Sequence, residues 1–155
     1  MGPAPSAGLL LHRPGPGGPQ VLLGHMGGPF WARKDERAWS IPKGEYAPDE
    51  DPIAAARREF AEELGSPPPP GTPAPLGDVR QRNGKVVTAW ALAGEFDAAA
   101  AVSNTFELEW PPKSGRTQAF PEIDRAQWFD LEIARRKIAA AQAEFLDRLV
   151  ALLAS

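Results

Sequence analysis

No cysteine occurs among the 155 residues. That removes a disulfide framework, a thiolate nucleophile and any zinc–thiolate centre. Positive charge is not in excess either: the formal net charge is −3, so nothing draws the chain generally towards a nucleic-acid polymer. Long apolar runs are missing, and none approaches the length of ~18 residues that a membrane span needs. The N-terminal stretch MGPAPSAGLLLHRPG lacks a basic start, and its apolar part is too short for an export signal. The reading is of a cytoplasmic chain with no membrane partner. Histidine is scarce, and His12 and His25 fall on or beside the first strands, where a lone histidine is more often structural than catalytic.

What the sequence does hold is concentrated between Gly44 and Gly65, GEYAPDEDPIAAARREFAEELG. Asp51 stands where an N-cap belongs, Pro52 follows at the position whose N–H is dispensable, and Gly65 is a natural terminator. Ala54, Ala55 and Ala56 favour helix. Ile53, Ala56, Phe60 and Leu64 form an apolar stripe at helical spacing. Glu59, Glu62 and Glu63 then share one arc of the helix, roughly 100° wide. Like charges so placed destabilise a helix by about 0.2–0.5 kcal/mol per pair. A divalent cation reverses that sign, and oxygen ligands suit magnesium or manganese. The spacing is not that of an EF-hand loop.

The same segment resembles the Nudix box, G-x5-E-x7-R-E-U-x-E-E-x-G-U, where U is a bulky aliphatic residue. Gly44, Glu50, Arg58, Glu59, Glu62, Glu63 and Gly65 supply its fixed identities. Phe60 is bulky but aromatic, and Ser66 takes the final hydrophobic slot. Matching those identities by chance falls below about one in ten thousand.

The resemblance implies an α/β fold, the Nudix α/β/α sandwich with a mixed sheet between the box helix and a C-terminal helix. It implies hydrolysis of a nucleoside diphosphate linked to another moiety, with a small nucleotide as the partner. Glu59, Glu62 and Glu63 would ligate magnesium (or manganese), Glu59 being favoured as general base. The Gly44 carbonyl would be a further ligand. Arg58 would orient the acids, and Glu50 would buttress the loop–helix junction. A remote acid often completes the metal site, and Glu122, six residues before Trp128, is the first candidate, ahead of Glu107 and Glu109.

Lys43, in a Pro-Lys-Gly turn, is placed to meet a phosphate chain. Arg33, Lys34 and Arg37 lie in the loop before it. For a base-stacking platform the available aromatics are Tyr46, Trp31, Phe106 and Trp110. The Pro-Lys-Gly lead is similar to that of family members acting on dinucleoside polyphosphates. The leading expectation is therefore a magnesium-dependent pyrophosphohydrolase cleaving a diadenosine tetraphosphate-like substrate. Sanitation of oxidised nucleoside triphosphates comes second, and hydrolysis of ADP-ribose or a sugar nucleotide third. A nucleotide-sensing module without turnover predicts lost box acids, and all three are present.

The rest of the chain reads as one domain, 1–155. Ala7–Leu11 and Val21–Met26 are strands around the turn Pro14–Pro19, followed by the loop Gly27–Arg37 and a short strand near Trp39–Ile41. Ser66–Pro75, with six prolines, is a stiff surface loop. Gly77–Asn83 and Lys85–Glu95 form a hairpin around Asn83-Gly84. Thr105–Trp110 and Gln127–Phe129 are further strands. Asp130 opens a helical region, and Phe145, Leu146, Leu149, Leu152 and Leu153 mark a docking helix over Gln142–Leu153. Monomer and homodimer both remain open.

Overall fold

The structure, a computed structural model, describes residues 4–155; the first residues of the N-terminal stretch discussed above lie outside it. Its nine strands are β1 (Ser6–Gly15), β2 (Gly18–Met26), β3 (Trp39–Ser40), β4 (Lys43–Glu45), β5 (Ala74–Arg80), β6 (Val86–Ala93), β7 (Thr105–Glu109), β8 (Thr117–Pro121) and β9 (Ile123–Asp130). Three α-helices accompany them: α1 (Pro52–Leu64), α2 (Leu131–Lys137) and α3 (Ala143–Ala154). Seven strands form one mixed sheet, in which β1 runs parallel to β6 and antiparallel to β2. β7 and β8 form a separate hairpin.

The feature that positions the site is a wedge. β1 pairs with β2 only from His12↔Val21 to Gly15↔Gly18, while Ser6–Gly8 pair instead with β4 and Gly24–His25 pair with β3. The two long strands therefore splay, and the segment from Trp39 to Glu45 fills the opening. β4 pairs there with β1 through the backbone.

Side-chain alternation sends apolar residues to both faces of the sheet, as a sheet covered on both sides requires. Leu10, Leu23, Trp39, Ile41 and Val87 pack with Phe145, Leu146 and Leu149 of α3. Leu9, Leu11 and Leu22 pack with Ala55, Ala56, Phe60 and Leu64 of α1. The result is the α/β/α sandwich expected. Phe60 takes the aliphatic slot without penalty, since it is fully buried and meets Phe96 edge-on at 5.4 Å. Burying such a side chain contributes about 1.5–3 kcal/mol.

Helix α1 begins and ends where its sequence signals stand. Asp51 occupies the N-cap, but its side chain caps nothing; its backbone carbonyl accepts from Ala55. Gly65 is left-handed at φ 81°, and an added Cβ would lie 2.6 Å from the Val102 carbonyl. Proline, by contrast, excludes strand less widely than expected. β5 starts at Ala74, inside the Pro-rich segment, because β5 lies at the sheet edge and Pro75 has no outer ladder to supply. The C-terminal helical region is broken at Ile138 into α2 and α3. Among the described residues no helix is long and apolar enough to cross a membrane.

Candidate active site

Helix α1 presents its acids to the wedge. Glu59 and Glu63 share the buried side of the helix with Ala56, Phe60 and Leu64, while Glu62 is exposed. Beneath them, Lys43 and Gly44 come up on β4. Lys43, Gly44, Glu45, Glu59, Glu62, Glu63, Lys85, Asn104 and Glu122 line one polar cleft of about 370 Å³. Most of the residues predicted from the sequence are thus brought together.

Arg58 organises the rim. Its Nε and one terminal nitrogen donate to the two Glu50 oxygens at 2.9 and 3.1 Å, a fork on a carboxylate. Its other terminal nitrogen donates to Glu59 at 2.9 Å and to Glu62 at 3.3 Å. Glu50, bonded to Arg58, has its carboxyl held below the usual range. Arg58 thus links Glu50 to Glu59 and Glu62.

The buried acids behave differently. Burial pushes the Glu63 carboxyl up to about 8, with the charges of Glu59 and Glu122 adding to the rise and the Lys43 ammonium and N–H opposing it. The Lys43 backbone N–H donates to Glu63 at 3.3 Å. Glu59 is likewise raised, first by burial and then by the charge of Glu62. Among the described residues, no three carboxylate or imidazole groups are already gathered around one point as a closed ligand set. Even so, the side chains that meet here are carboxylates, and burial is the main reason Glu59 and Glu63 are raised, so a cation beside them would favour their charged form. This set fits a hard divalent cation.

Gly44 is tied to Glu59 by space. A Cβ built on Gly44 would fall 2.1 Å from the Glu59 carboxyl carbon and from one of its oxygens. Gly44→Ala is accordingly expected to expel the Glu59 carboxylate and lower turnover at least about 100-fold, with an unchanged circular dichroism spectrum. Retained turnover would show that Glu59 does not need its place against β4.

A smaller depression of about 170 Å³ adjoins the cleft and shares Lys43, Glu63 and Glu122 with it. Its aromatic walls are Trp31 and Phe106. The other two aromatic candidates lie elsewhere. Tyr46 packs against the core under α1, and Trp110, near the tip of the β7–β8 hairpin, meets Phe30 edge-on at 5.5 Å. Both are half-buried, and neither lines the cleft or the smaller depression. Glu109 accepts from the Lys113 and Gly115 N–H groups in the hairpin turn, and Arg37 donates to the carbonyls of Arg135 and Ile138. Lys85 and Asn104 were missed by sequence reasoning. Lys85 comes to the cleft through the parallel β1–β6 pairing and is bound to Glu45 at 2.7 Å. The Asn104 N–H donates to the Glu62 carbonyl at 2.8 Å, and Asn104 accepts from the Glu122 N–H at 2.9 Å. No local signal announces either residue.

Comparison with known proteins agrees with this geometry. The model of the NUDIX domain matches residues 2–149. No curated protein matches the chain. Among solved structures, an Ap4A hydrolase of C. elegans in a binary complex superposes with a TM-score of 0.66 at 26% identity, covering 96% of this chain and 98% of that one. The NUDIX domain of NrtR from Shewanella oneidensis, complexed with ADP ribose, gives 0.66 at 16% identity over 99% and 90%. A MutT protein from Methanosarcina mazei Go1 gives 0.61 at 21% identity over 98% of each chain. Since the match covers nearly every residue and the box acids share one cleft, this chain belongs to the Nudix family and is a Nudix hydrolase.

Proposed function

We propose that this Nudix hydrolase is a magnesium-dependent pyrophosphohydrolase of a nucleoside polyphosphate, with a dinucleoside polyphosphate resembling diadenosine tetraphosphate as substrate. The observation that carries the reading is the mixture of charges in the cleft. Glu59, Glu62, Glu63 and Glu122 face Lys43 and Lys85 across about 370 Å³. The acids alone would repel a polyphosphate, so their work is to hold cations, with the Gly44 carbonyl as a further ligand. The lysines meet the phosphate oxygens as point charges. Bound magnesium would supply neutralisation of the phosphate chain and acidification of water.

Glu59 is assigned as general base. Arg58 donates to one of its oxygens and leaves the other without a side-chain donor, while the whole carboxylate sits against Gly44. That oxygen takes the proton of the attacking water as its oxygen bonds to phosphorus and the phosphoanhydride breaks. The adjoining depression gives one base a stacking surface on Trp31 and Phe106. Similarity to the C. elegans Ap4A hydrolase along nearly the whole chain favours a long phosphate chain over a diphosphate.

A panel of diadenosine tetraphosphate, oxidised nucleoside triphosphates, ADP-ribose and a sugar nucleotide, assayed with magnesium, tests the reading. The dinucleoside polyphosphate should give the highest kcat/KM, at least about tenfold above the others, and release two nucleotides. Preference for ADP-ribose or an oxidised triphosphate would replace the substrate assignment, and silence on the entire panel would remove it.

A further inference from the structure

His25 is fully buried near the end of β2, and the cleft lining does not include it. Its Nδ1 lies 2.9 and 3.0 Å from the two carboxylate oxygens of Asp124, and its Nε2 lies 2.6 Å from the Lys34 carbonyl oxygen. Each ring nitrogen thus lies within hydrogen-bond distance of an oxygen, one on Asp124 and one on Lys34. Trp39 packs edge-on against the ring at 5.1 Å and fixes its plane.

Asp124 reaches the ring because of an irregularity in the sheet. The β2–β9 register steps from His25↔Arg125 to Met26↔Ile123, which leaves Asp124 as the extra residue of a bulge. Bulges re-aim a side chain in this way. Immediately beyond, the Gly27 N–H donates to the Glu122 carbonyl at 2.9 Å. One ring therefore joins two segments that are remote in sequence: the loop from Gly27 to Arg37, which carries Trp31, and the start of β9, beside Glu122. Trp31 and Glu122 both line the smaller depression.

We infer that His25 is a positioning residue, a double hydrogen-bonded clip that sets the distance between the Trp31 loop and the Glu122 edge. Its importance for substrate rests on the polyphosphate reading; the clip itself does not. Two variants test it. His25→Gln keeps a donor for one partner only. Asp124→Ala cuts the clip at a side chain that is 30% exposed, so it leaves no buried hole. Amide hydrogen exchange across residues 27–37 should rise about tenfold in each variant, the equivalent of one hydrogen bond, while β1 and β6 amides stay as in wild type. On the best substrate of the panel, KM should rise about tenfold with kcat changed less than about threefold. Unchanged loop exchange overturns the clip, and raised exchange with an unmoved KM overturns its role in positioning substrate. A wild type inactive on every compound would fail the functional reading alone, because exchange is read on the protein without substrate.

Discussion

Glu63→Gln is expected to lower kcat by about 10²–10³-fold, the scale of losing several kcal/mol of transition-state stabilisation, and yet to stabilise the metal-free protein at pH 8. The two effects come from one cause. Burial lifts the Glu63 carboxyl to about 8 in the folded chain, against about 4.3 for a solvated glutamate. Between those values the folded state keeps a proton that the unfolded state has lost. Stability therefore falls as pH rises, by up to about 1.4 kcal/mol per pH unit for this one group. Above pH 8 the folded carboxylate is charged and the full penalty applies. Glutamine has no such proton to lose, and it retains an acceptor for the Lys43 N–H. Thermal melts in EDTA should show the variant overtaking wild type between pH 5 and 8, with each kcal/mol worth about 2–4 °C in a domain of this size. Magnesium should then reverse the order, stabilising wild type more at pH 8 than at pH 6, because cation and proton compete for the same oxygens. A gap between the two proteins that stays constant with pH would mean that Glu63 is not protonated in the metal-free fold.

How much of this was legible in the sequence depends on whether the signal was local. Helix α1 was fully readable: its proline, its glycine and its apolar stripe lie within fourteen residues of one another, and the structure begins and ends it there. Asp51 was placed correctly at the N-cap, where its side chain makes no cap bond. The Asn83-Gly84 hairpin was readable for the same local reason, with Gly84 at φ 89°. β4 was not, because three residues carry no period and its pairing partner, Ser6–Gly8, lies far away in the chain. β8 was missed because an exposed two-stranded hairpin has no buried face to imprint alternation on its sequence. For the site, the box named the acids but not their surroundings. Trp31 and Phe106, not Tyr46 and Trp110, line the depression with Lys43 and Glu122, and no local pattern in the sequence makes that choice. His25 looked structural from its strand position; only the bulge at Asp124 shows what it ties together.

Removing Arg58 should have the second large effect, and again on two observables at once. The guanidinium holds Glu50 with a fork, bonds Glu59 and Glu62 from its remaining terminal nitrogen, and reaches the Glu45 carbonyl at 3.4 Å. Arg58→Ala leaves three carboxylates without that partner. The metal-free protein should melt a few degrees lower, a modest loss because the Arg58 side chain is 38% exposed and solvent screens its charge. Magnesium should restore much of that loss, since a divalent cation answers the same repulsion. Half-activation should nevertheless require about 10–100 times more magnesium, the usual cost of losing a group that orients ligands. Arg58→Lys should recover little, because an ammonium cannot grip Glu50 with two parallel bonds while it also fixes Glu59. Glu50→Gln provides the contrast. It keeps an acceptor for Arg58 and should shift the magnesium requirement far less than Arg58→Ala does. Magnesium titrations of activity, run beside melts in EDTA, separate these outcomes. An unchanged half-activation concentration in Arg58→Ala would reduce the guanidinium to a surface charge and leave Glu59 oriented by its place against Gly44 alone.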